Sequence, residues 1–290
     1  MTARIAAGQA PGSARLAGPP PGRRGVERVT AGRAAVVCGL GILAIVALGP
    51  LLYMAGESLR APSGSGWTLA NWTSVFRTLP ILTGLKNSLI LASCSAVLTV
   101  AVTSVAGFAF AKLPFRGSRA VLAVVIATLT LPLISAVVPE YLDLAKYDLI
   151  GSYTPVIVVY SAFSAAFAVI FFTNYFLSVP DAFIENAVTE GAGYAKIMWR
   201  IILPMAVPAL VTIGVLDFLL VWNDLLVALL FLPQADHQTA SVLLATINAG
   251  KRLHTQAVLA GALLSLIPNF VVFLAGQRYL LLGYSLGVEK

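Results

Sequence analysis

The chain has 290 residues, of which 59% are hydrophobic and 11% charged, whereas about a quarter of the residues are charged in an ordinary soluble domain. A soluble fold cannot cover that much apolar surface, so the composition excludes a soluble protein. The net charge of +7 does not indicate a nucleic-acid-binding protein, because the basic residues lie in short segments between apolar runs and are not interleaved with exposed aromatic residues.

Residues 1–33 precede the first long apolar run and differ from the rest of the chain in composition. They contain six arginines among Ala, Gly and Pro residues, including the run Pro19-Pro20-Pro21, and few large apolar side chains. Such a segment buries too little surface to offset the entropy of folding. We therefore predict a disordered basic tail over residues 1–33 and one membrane domain over residues 34–290.

Six apolar segments follow one another along the chain, and each is predicted to be a transmembrane helix. About 20 apolar residues in a helix cross the hydrocarbon layer, and a helix satisfies its own backbone hydrogen bonds in lipid. Uninterrupted runs of this length differ from the alternating pattern of a membrane β-barrel. The predicted fold class is an all-α integral membrane protein with six spans near residues 34–53, 86–111, 120–140, 154–177, 202–231 and 257–281.

The distribution of Lys and Arg predicts the orientation of the spans. Thirteen of these residues lie on the side of the amino-terminal tail and six on the other side. Because cytoplasmic segments are enriched in Lys and Arg, both termini are predicted to be cytoplasmic. The thirteen comprise the six tail arginines with Lys112, Arg116, Arg119, Lys196, Arg200, Arg278 and Lys290.

The connector between the fourth and fifth spans is predicted to form a short amphipathic helix over residues 181–190 on the cytoplasmic side. Acidic residues near its start suit the helix dipole, and Gly191 and Gly193 are positioned to end it. A helix of this kind can project from the bilayer as a rigid knob that a partner protein grips. The alternative is an ordinary amphipathic loop helix with a glycine cap.

The connector resembles the cytoplasmic signature of the inner-membrane permeases of ATP-binding-cassette importers, which reads E-A-A, three residues, G, nine residues, I-x-L-P. The signature stands here as Glu185-Asn186-Ala187, then Gly191, then Ile201-Ile202-Leu203-Pro204. The resemblance is strongest to the carbohydrate-uptake group related to maltose permeases, and it covers residues 34–290. Further matching segments are Lys86-Asn87-Ser88-Leu89-Ile90, Ala109-Phe110-Ala111-Lys112-Leu113-Pro114-Phe115-Arg116-Gly117, Trp222-Asn223-Asp224 and Gln277-Arg278-Tyr279.

Three residues depart from the pattern of that group. Asn186 replaces a small residue, Glu190 replaces an Asp before the glycine, and Asp217 stands where the group usually has a neutral side chain. The first two substitutions are mild and leave the coupling role of the connector intact.

The resemblance implies the type I importer permease fold and a place in a heteromeric complex of the bacterial inner membrane. The implied partners are a second, homologous permease subunit, two ATPase subunits and an extracytoplasmic sugar-binding protein, in addition to membrane lipid. The implied solute is a mono- or oligosaccharide. The residues implied to contact the ATPase are Glu185, Asn186, Ala187, Glu190, Gly191 and Ala192.

No cofactor or catalytic residue is predicted in this chain. It contains no G-x-x-x-x-G-K-[ST] sequence, so ATP and magnesium are expected to be bound by the partner ATPase subunits, and this subunit is expected to be non-catalytic. His237 and His254 each lack a second ligand at metal spacing, and Cys38 and Cys94 are predicted to be free and buried within spans.

Four polar or aromatic residues in the fifth span are candidates for the substrate path: Asp217, Trp222, Asn223 and Asp224. Ionisable groups at membrane depth are costly, so they require an explanation. Carboxylates and amides can bind sugar hydroxyls and Trp222 offers a stacking surface, but the same side chains can instead tie spans together. Glu140, Asp143 and Asp148 form either a solvated external loop or part of a docking surface.

Two rival functions remain at this point. A secondary transporter would use Asp217 as a proton or sodium site and need no ATPase. A membrane-embedded enzyme would need paired acids or a nucleophile and base at one depth, and the spans supply only Asp217 and Asp224.

Overall fold

A computed structural model describes residues 23–62, 64, 66–113, 115–249 and 253–285, which are almost entirely helical. The predicted all-α fold class is confirmed. A five-residue π-helical stretch, Met198–Ile202, joins two of the helices. The α-helices are α1 (Arg23–Ser58), α2 (Ala70–Thr78), α3 (Ile81–Lys112), α4 (Ser118–Thr128), α5 (Leu133–Lys146), α6 (Tyr153–Ser178), α7 (Ala182–Thr189), α8 (Tyr194–Ile197), α9 (Leu203–Met205), α10 (Val207–Asn223), α11 (Leu226–Phe231), α12 (Ala240–Ala249) and α13 (Thr255–Ser285).

Four of these helices are long and apolar enough to cross a membrane, namely Val36–Ser58, Ile81–Lys112, Tyr153–Ser178 and Thr255–Leu280. A fifth candidate span is a broken pair, Tyr194–Met205 and Val207–Asn223, whose two parts are bent by 75°. The described residues thus hold four or five spans, and the prediction of six is not confirmed.

The third predicted span is not one continuous helix. Residues 120–140 fall in α4 and α5, which are separated at residues 129–132. Pro132 has an extended backbone, with φ −63° and ψ 128°, and has no N–H to donate to the preceding turn. Residue hydropathy did not reveal this break because the residues on both sides of the proline are apolar.

The fifth predicted span also ends earlier than residue 231. Helix α10 stops at Asn223, Asp224 is extended, and α11 then begins at Leu226. The cause is local, because the Asp224 carboxylate accepts hydrogen bonds from the backbone N–H groups of Val227 and Ala228. These are the donors left without helical partners at the start of α11.

The described chain divides into two compact units, of which the first ends at residue 53 and the second begins at residue 54. In the first unit α1 begins at Arg23, so the predicted boundary at residue 33 lies within this helix. Residues 1–22 lie outside the described residues, and the disorder predicted for the tail stays a prediction.

The cysteine prediction was only half right. Cys38 and Cys94 are both free, as expected, but both are exposed rather than buried. Cys94 lies near Val97, which is 69% exposed, on the outward face of α3. An apolar helix in lipid can expose a thiol on this face at little cost, so membership of a span does not imply burial against other helices.

Helices α3 and α6 form the most extensive helix–helix contact among the described residues of the second unit. A methyl group placed on Gly107 would lie 2.5 Å from Cβ of Phe172 and 3.0 Å from the backbone nitrogen of Thr173. Ser161 Oγ also donates to the backbone carbonyl of Ser95 across the same contact, at 3.2 Å. Small residues allow such close approach in membrane proteins, where packing rather than water exclusion holds helices together.

The segment that precedes α12 is fixed to the start of α3 by hydrogen bonds. Asn87 Nδ2 donates to the carbonyls of Asp236 and Gln238 at 2.7 and 2.9 Å. Ser88 Oγ accepts from the backbone N–H of Ala240 at 3.0 Å. The Lys86-Asn87-Ser88 segment, matched earlier only by resemblance, therefore has a structural role in this chain.

Gly107 provides a test of the α3–α6 contact. Changing Gly107 to Ala should lower the free energy of unfolding by about 1–3 kcal/mol, because the added methyl group meets backbone atoms that cannot rotate away. The measurement is the thermal denaturation midpoint of the detergent-purified chain.

The matched control is Gly214→Ala on α10. A methyl group at Gly214 would meet only Cγ2 of Val100, at an ordinary 3.7 Å. Its midpoint should stay near that of the parent. Equal midpoints for the two variants would show that the α3–α6 contact is looser than described.

Candidate functional site

The connector after α6 contains the predicted short helix, and its end has the geometry of a Schellman motif. Gly191 has φ +81°, its N–H donates to the carbonyl of Val188, and the N–H of Ala192 donates to the carbonyl of Ala187, both at 2.9 Å. No atom lies within 4 Å of a Cβ built on Gly191. Glycine is therefore favoured here by backbone conformation and not by lack of space.

Helix α7 exposes one face and buries the other. Glu185, Asn186, Glu190 and Gly191 are exposed and Ala192 is half-buried, whereas Ala187 is 7% exposed. Of the six predicted contact residues, Ala187 thus lies on the buried face, where it packs α7 against the rest of the protein. The sequence prediction missed two apolar side chains on the exposed surface, Phe183 (46% exposed) and Val188 (45% exposed).

The buried face of α7 joins an apolar cluster at the ends of the long helices. Ile184 and Ala187 belong to the same cluster as Phe108 of α3 and Phe172 and Phe176 of α6. The ring of Phe176 meets that of Phe108 edge-on and stacks on that of Phe172, with centroids 6.0 Å apart in each pair. The cluster also contains Ile197, Met198, Ile202, Ala206, Ala209 and Ile213. Displacement of α7 would therefore also change the packing of α3, α6 and α10.

Lys112, at the end of α3, fixes the turn between α6 and α7. Its side chain is 5% exposed, and Nζ donates to the carbonyl of Val179 at 2.7 Å and to the carboxylate of Asp181. The sequence identified Lys112 only as a charge that reports orientation. It could not show that Lys112 bonds to the carbonyl of Val179, which lies 67 residues further along the chain.

The chain between α7 and α10 is bent and contains irregular helix. The π-helical stretch Met198–Ile202 leads into α9, and the axis then turns by 75° before α10. Pro204 and Pro208 stand in the first turns of α9 and α10, where a missing N–H costs little. Single-turn π segments are often found at functional sites.

Asp217 is buried among helices. It is 4% exposed, and neither carboxylate oxygen has a hydrogen-bond partner. The hydroxyls of Thr99 and Ser164 face the carboxyl group, but no hydrogen bond joins either of them to it. Within this chain the carboxyl group faces other helices and does not face an open path.

Trp222 and Asp224 make contacts typical of structural ties. Trp222 is 4% exposed, and its indole N–H donates to the carbonyl of Ser265 at 3.1 Å. The Asp224 carboxylate accepts from Tyr160 Oη at 2.9 Å in addition to capping α11, and the Asp224 carbonyl accepts from Ser241 Oγ. These bonds favour the second alternative stated for the two residues.

Asn223 differs from its neighbours because its side chain is exposed. Its Oδ1 accepts a hydrogen bond from Nδ2 of Asn269 in α13 at 3.0 Å. Oδ1 of Asn269 is buried and without a partner. The sequence prediction missed Asn269, since no pattern links two asparagines 46 residues apart.

A cavity of about 560 Å³ lies along α3 and α10, beside Val100, Leu210 and Phe218. Its walls are apolar except for Ser93, Ser104 and the indole of Trp199, so they offer few partners for the hydroxyls of a sugar. Among the described residues no group of three or more His, Cys, Asp or Glu side chains is placed to hold a metal ion.

The chain is similar in sequence to permease proteins of other organisms. The chain is 31% identical over 223 residues to the osmoprotective compounds uptake permease protein GgtD of Synechocystis sp., covering 77% of this chain and 75% of that protein. It is 30% identical over 233 residues to the α-glucoside transport system permease protein AglG of Rhizobium meliloti, covering 77% of this chain and 60% of that protein.

The same fold occurs in a crystal structure of a bacterial ABC transporter involved in the import of the acidic polysaccharide alginate. One of its chains superposes with a TM-score of 0.76 at 22% sequence identity, covering 90% of this chain and 99% of that chain. The resemblance to importer permeases that was drawn from the motifs is confirmed. Because the family's sequence model matches residues 39–280, this multi-pass membrane protein belongs to the family of binding-protein-dependent transport system inner membrane components.

Proposed function

We propose that this chain is a channel-forming permease subunit of an ATP-driven importer of a mono- or oligosaccharide, and that it works by alternating access. The proposal rests chiefly on the connector, whose α7 exposes Glu185 and Asn186 while it buries Ile184 and Ala187 in the cluster of long helices. Such a helix can receive a force from a partner and pass it to the spans. Family membership and the α-glucoside and alginate systems of its relatives support a sugar as the solute.

The proposed complex contains a second permease, two ATPase subunits and an extracytoplasmic sugar-binding protein. ATP and magnesium are bound by the ATPase subunits, and this chain performs no catalysis. The family description itself refers to a binding-protein-dependent system. The proposed location is the bacterial inner membrane, with the amino-terminal tail, the connector and the carboxyl terminus in the cytoplasm.

In the proposed mechanism, closure of the ATPase subunits on nucleotide displaces α7 as a rigid body. The displacement reaches Phe172 and Phe176 of α6 through the apolar cluster that they share with Ile184 and Ala187. The ion pair of Lys112 with Asp181 links the same displacement to the end of α3. Packed aromatic side chains have few alternative arrangements, so they transmit a displacement instead of absorbing it. ATP binding shifts the equilibrium between the two conformations of alternating access, because the contacts of the connector differ between these conformations.

The proposed sugar contact in this subunit is the amide pair of Asn223 and Asn269. Asn223 is exposed, and an amide offers both donors and an acceptor to sugar hydroxyls. Trp222 and Asp224 lie next to Asn223 in sequence, but their hydrogen bonds suit them to holding the helices in place. Asp217 is buried without a hydrogen-bond partner and is not proposed to contact the sugar.

The orientation can be tested by cysteine labelling in a background without Cys38 and Cys94. In intact cells, an impermeant maleimide should fail to label a cysteine at Arg116, which is exposed before α4, and should label one at Ser152, which is exposed before α6. Permeabilised cells should allow both reactions. Labelling of the Arg116 variant in intact cells would reverse the proposed topology.

The connector can be tested with Gly191→Val and Glu185→Lys. Valine is strongly disfavoured at a φ of +81°, and lysine reverses an exposed charge on the proposed contact face. Both variants should insert normally, since spans are stabilised by lipid and by one another. Both should retain less ATPase on purification, or hydrolyse ATP without uptake.

Gly193→Val is the matched control, because Gly193 has an ordinary φ of −72° and open space around it. The measurements are the amount of ATPase that co-purifies, hydrolysis with and without loaded binding protein, and sugar uptake. If both test variants match the parent in all three, the connector is not the coupling element.

The sugar contact can be tested by comparing Asn223→Ala with Asp224→Ala. Loss of the Asn223 amide should lower uptake by about 2–10-fold, the value of one or two neutral hydrogen bonds, while the complex assembles normally. Loss of Asp224 should instead lower the amount of folded protein, since it leaves Tyr160 and the first turn of α11 without their partner. Uptake at the parental level in the Asn223 variant would remove Asn223 from the path.

A further inference from the structure

Asp217 lies in the middle of α10 and is the most unusual polar group of the described bundle. It is 4% exposed, and both of its carboxylate oxygens are buried without a hydrogen-bond partner. It takes part in none of the ion pairs found among the described residues. A buried carboxylate without a compensating group is unstable in a medium of low dielectric constant.

Three buried hydroxyls accompany this carboxyl group. Thr99 of α3 and Ser164 of α6 lie within interaction range of it, and Ser95 lies one turn before Thr99 on the same face of α3. None of the three hydroxyls has a hydrogen-bond partner. Their oxygens are therefore available to a ligand.

Other buried hydroxyls on the same two helices behave differently. Ser161 Oγ donates to the carbonyl of Ile157 at 2.8 Å, and Thr173 Oγ1 donates to the carbonyl of Val169 at 2.7 Å. Bonding to the preceding turn is the usual way for Ser and Thr to be satisfied inside a helix. Thr99 of α3 and Ser164 of α6, which face Asp217, lack such a bond, and so does Ser95.

Three different helices contribute the carboxyl group of Asp217 and the hydroxyls of Thr99 and Ser164. The bond from Ser161 Oγ to the carbonyl of Ser95 sets α3 beside α6, and Gly107 permits their close approach. Asp217 then faces both helices from α10. The result is an oxygen-lined site made of one carboxylate and several hydroxyls, enclosed by three helices.

We propose that Asp217, Thr99 and Ser164, with Ser95 adjacent, form a binding site for one sodium ion. Carboxylate and hydroxyl oxygens are the ligands that hard cations prefer. One carboxylate neutralises one positive charge, so a monovalent ion leaves the buried site without net charge, whereas a divalent ion does not. The ion would hold α3, α6 and α10 together at the centre of the bundle. This site does not depend on the proposed import function and does not require sodium to drive transport.

The test is the thermal denaturation midpoint of the full-length chain, purified in detergent, in sodium, potassium or choline chloride at one pH and one ionic strength. Sodium should raise the midpoint in a saturable manner, because a ligand that binds only the folded state stabilises it. Potassium and choline should have little effect. Equilibrium binding of radioactive sodium should saturate near one ion per chain.

The variants separate the site from a general salt effect. Asp217→Asn should remove the sodium response, and Thr99→Val should raise the half-saturating sodium concentration by about tenfold or more. The control is Thr173→Val, which removes a buried hydroxyl that is already satisfied on α6, and it should keep the parental response.

Three results would overturn the proposal. They are an equal rise in sodium and potassium, an unchanged sodium response in Asp217→Asn, and a parental midpoint that depends on pH but not on sodium. The last would show that a proton, and not a metal ion, neutralises Asp217. If Asp217→Asn fails to fold, the midpoints of the parental chain in the three salts and its sodium-binding stoichiometry still test whether the site binds sodium.

Discussion

The close contact of α3 with α6 is the constraint on which the rest of the second unit depends. Lipid is as apolar as the helices themselves, so burial of leucine or valine does not drive two spans together. Gly107 instead allows the α6 backbone at Phe172 and Thr173 to approach within van der Waals range. This approach creates the aromatic cluster that receives α7 and also aligns the hydroxyls that surround Asp217. Two features separated along the bundle thus share one cause.

Polar side chains hold the short helices and connecting segments that the α3–α6 contact does not fix. Asn87 holds the segment before α12 through two backbone carbonyls, and Asp224 holds α11 and Tyr160 with one carboxylate. A hydrogen bond in lipid competes with few alternatives, and each of these side chains bonds to groups that regular helix leaves unpaired. Both side chains therefore act on segments where a helix begins or breaks. Apolar composition alone would not show this division of roles.

The all-α class, four of the six predicted spans and the glycine-ended connector could be predicted from the sequence, because each depends on residues close together in the chain. Gly191 is an example, since its positive φ follows from a local helix end. The break at Pro132 and the early end of α10 at Asn223 were missed, because hydropathy averages over the polar or imino group that causes each one. The partners of Lys112 and Asn269 were also missed, because only the folded chain brings them together.

The bend between α9 and α10 suggests why the connector and the spans are joined through irregular helix. A straight α-helix passes a push along its axis, but it resists a change of direction. The π-helical stretch Met198–Ile202 and the 75° turn after Met205 place Ile197, Met198 and Ile202 against the same cluster that buries α7. A lateral displacement of α7 therefore reaches α10 through side-chain contacts as well as along the backbone. In the proposed mechanism, the irregular segment would convert a displacement of α7 beside the membrane into a tilt of α10.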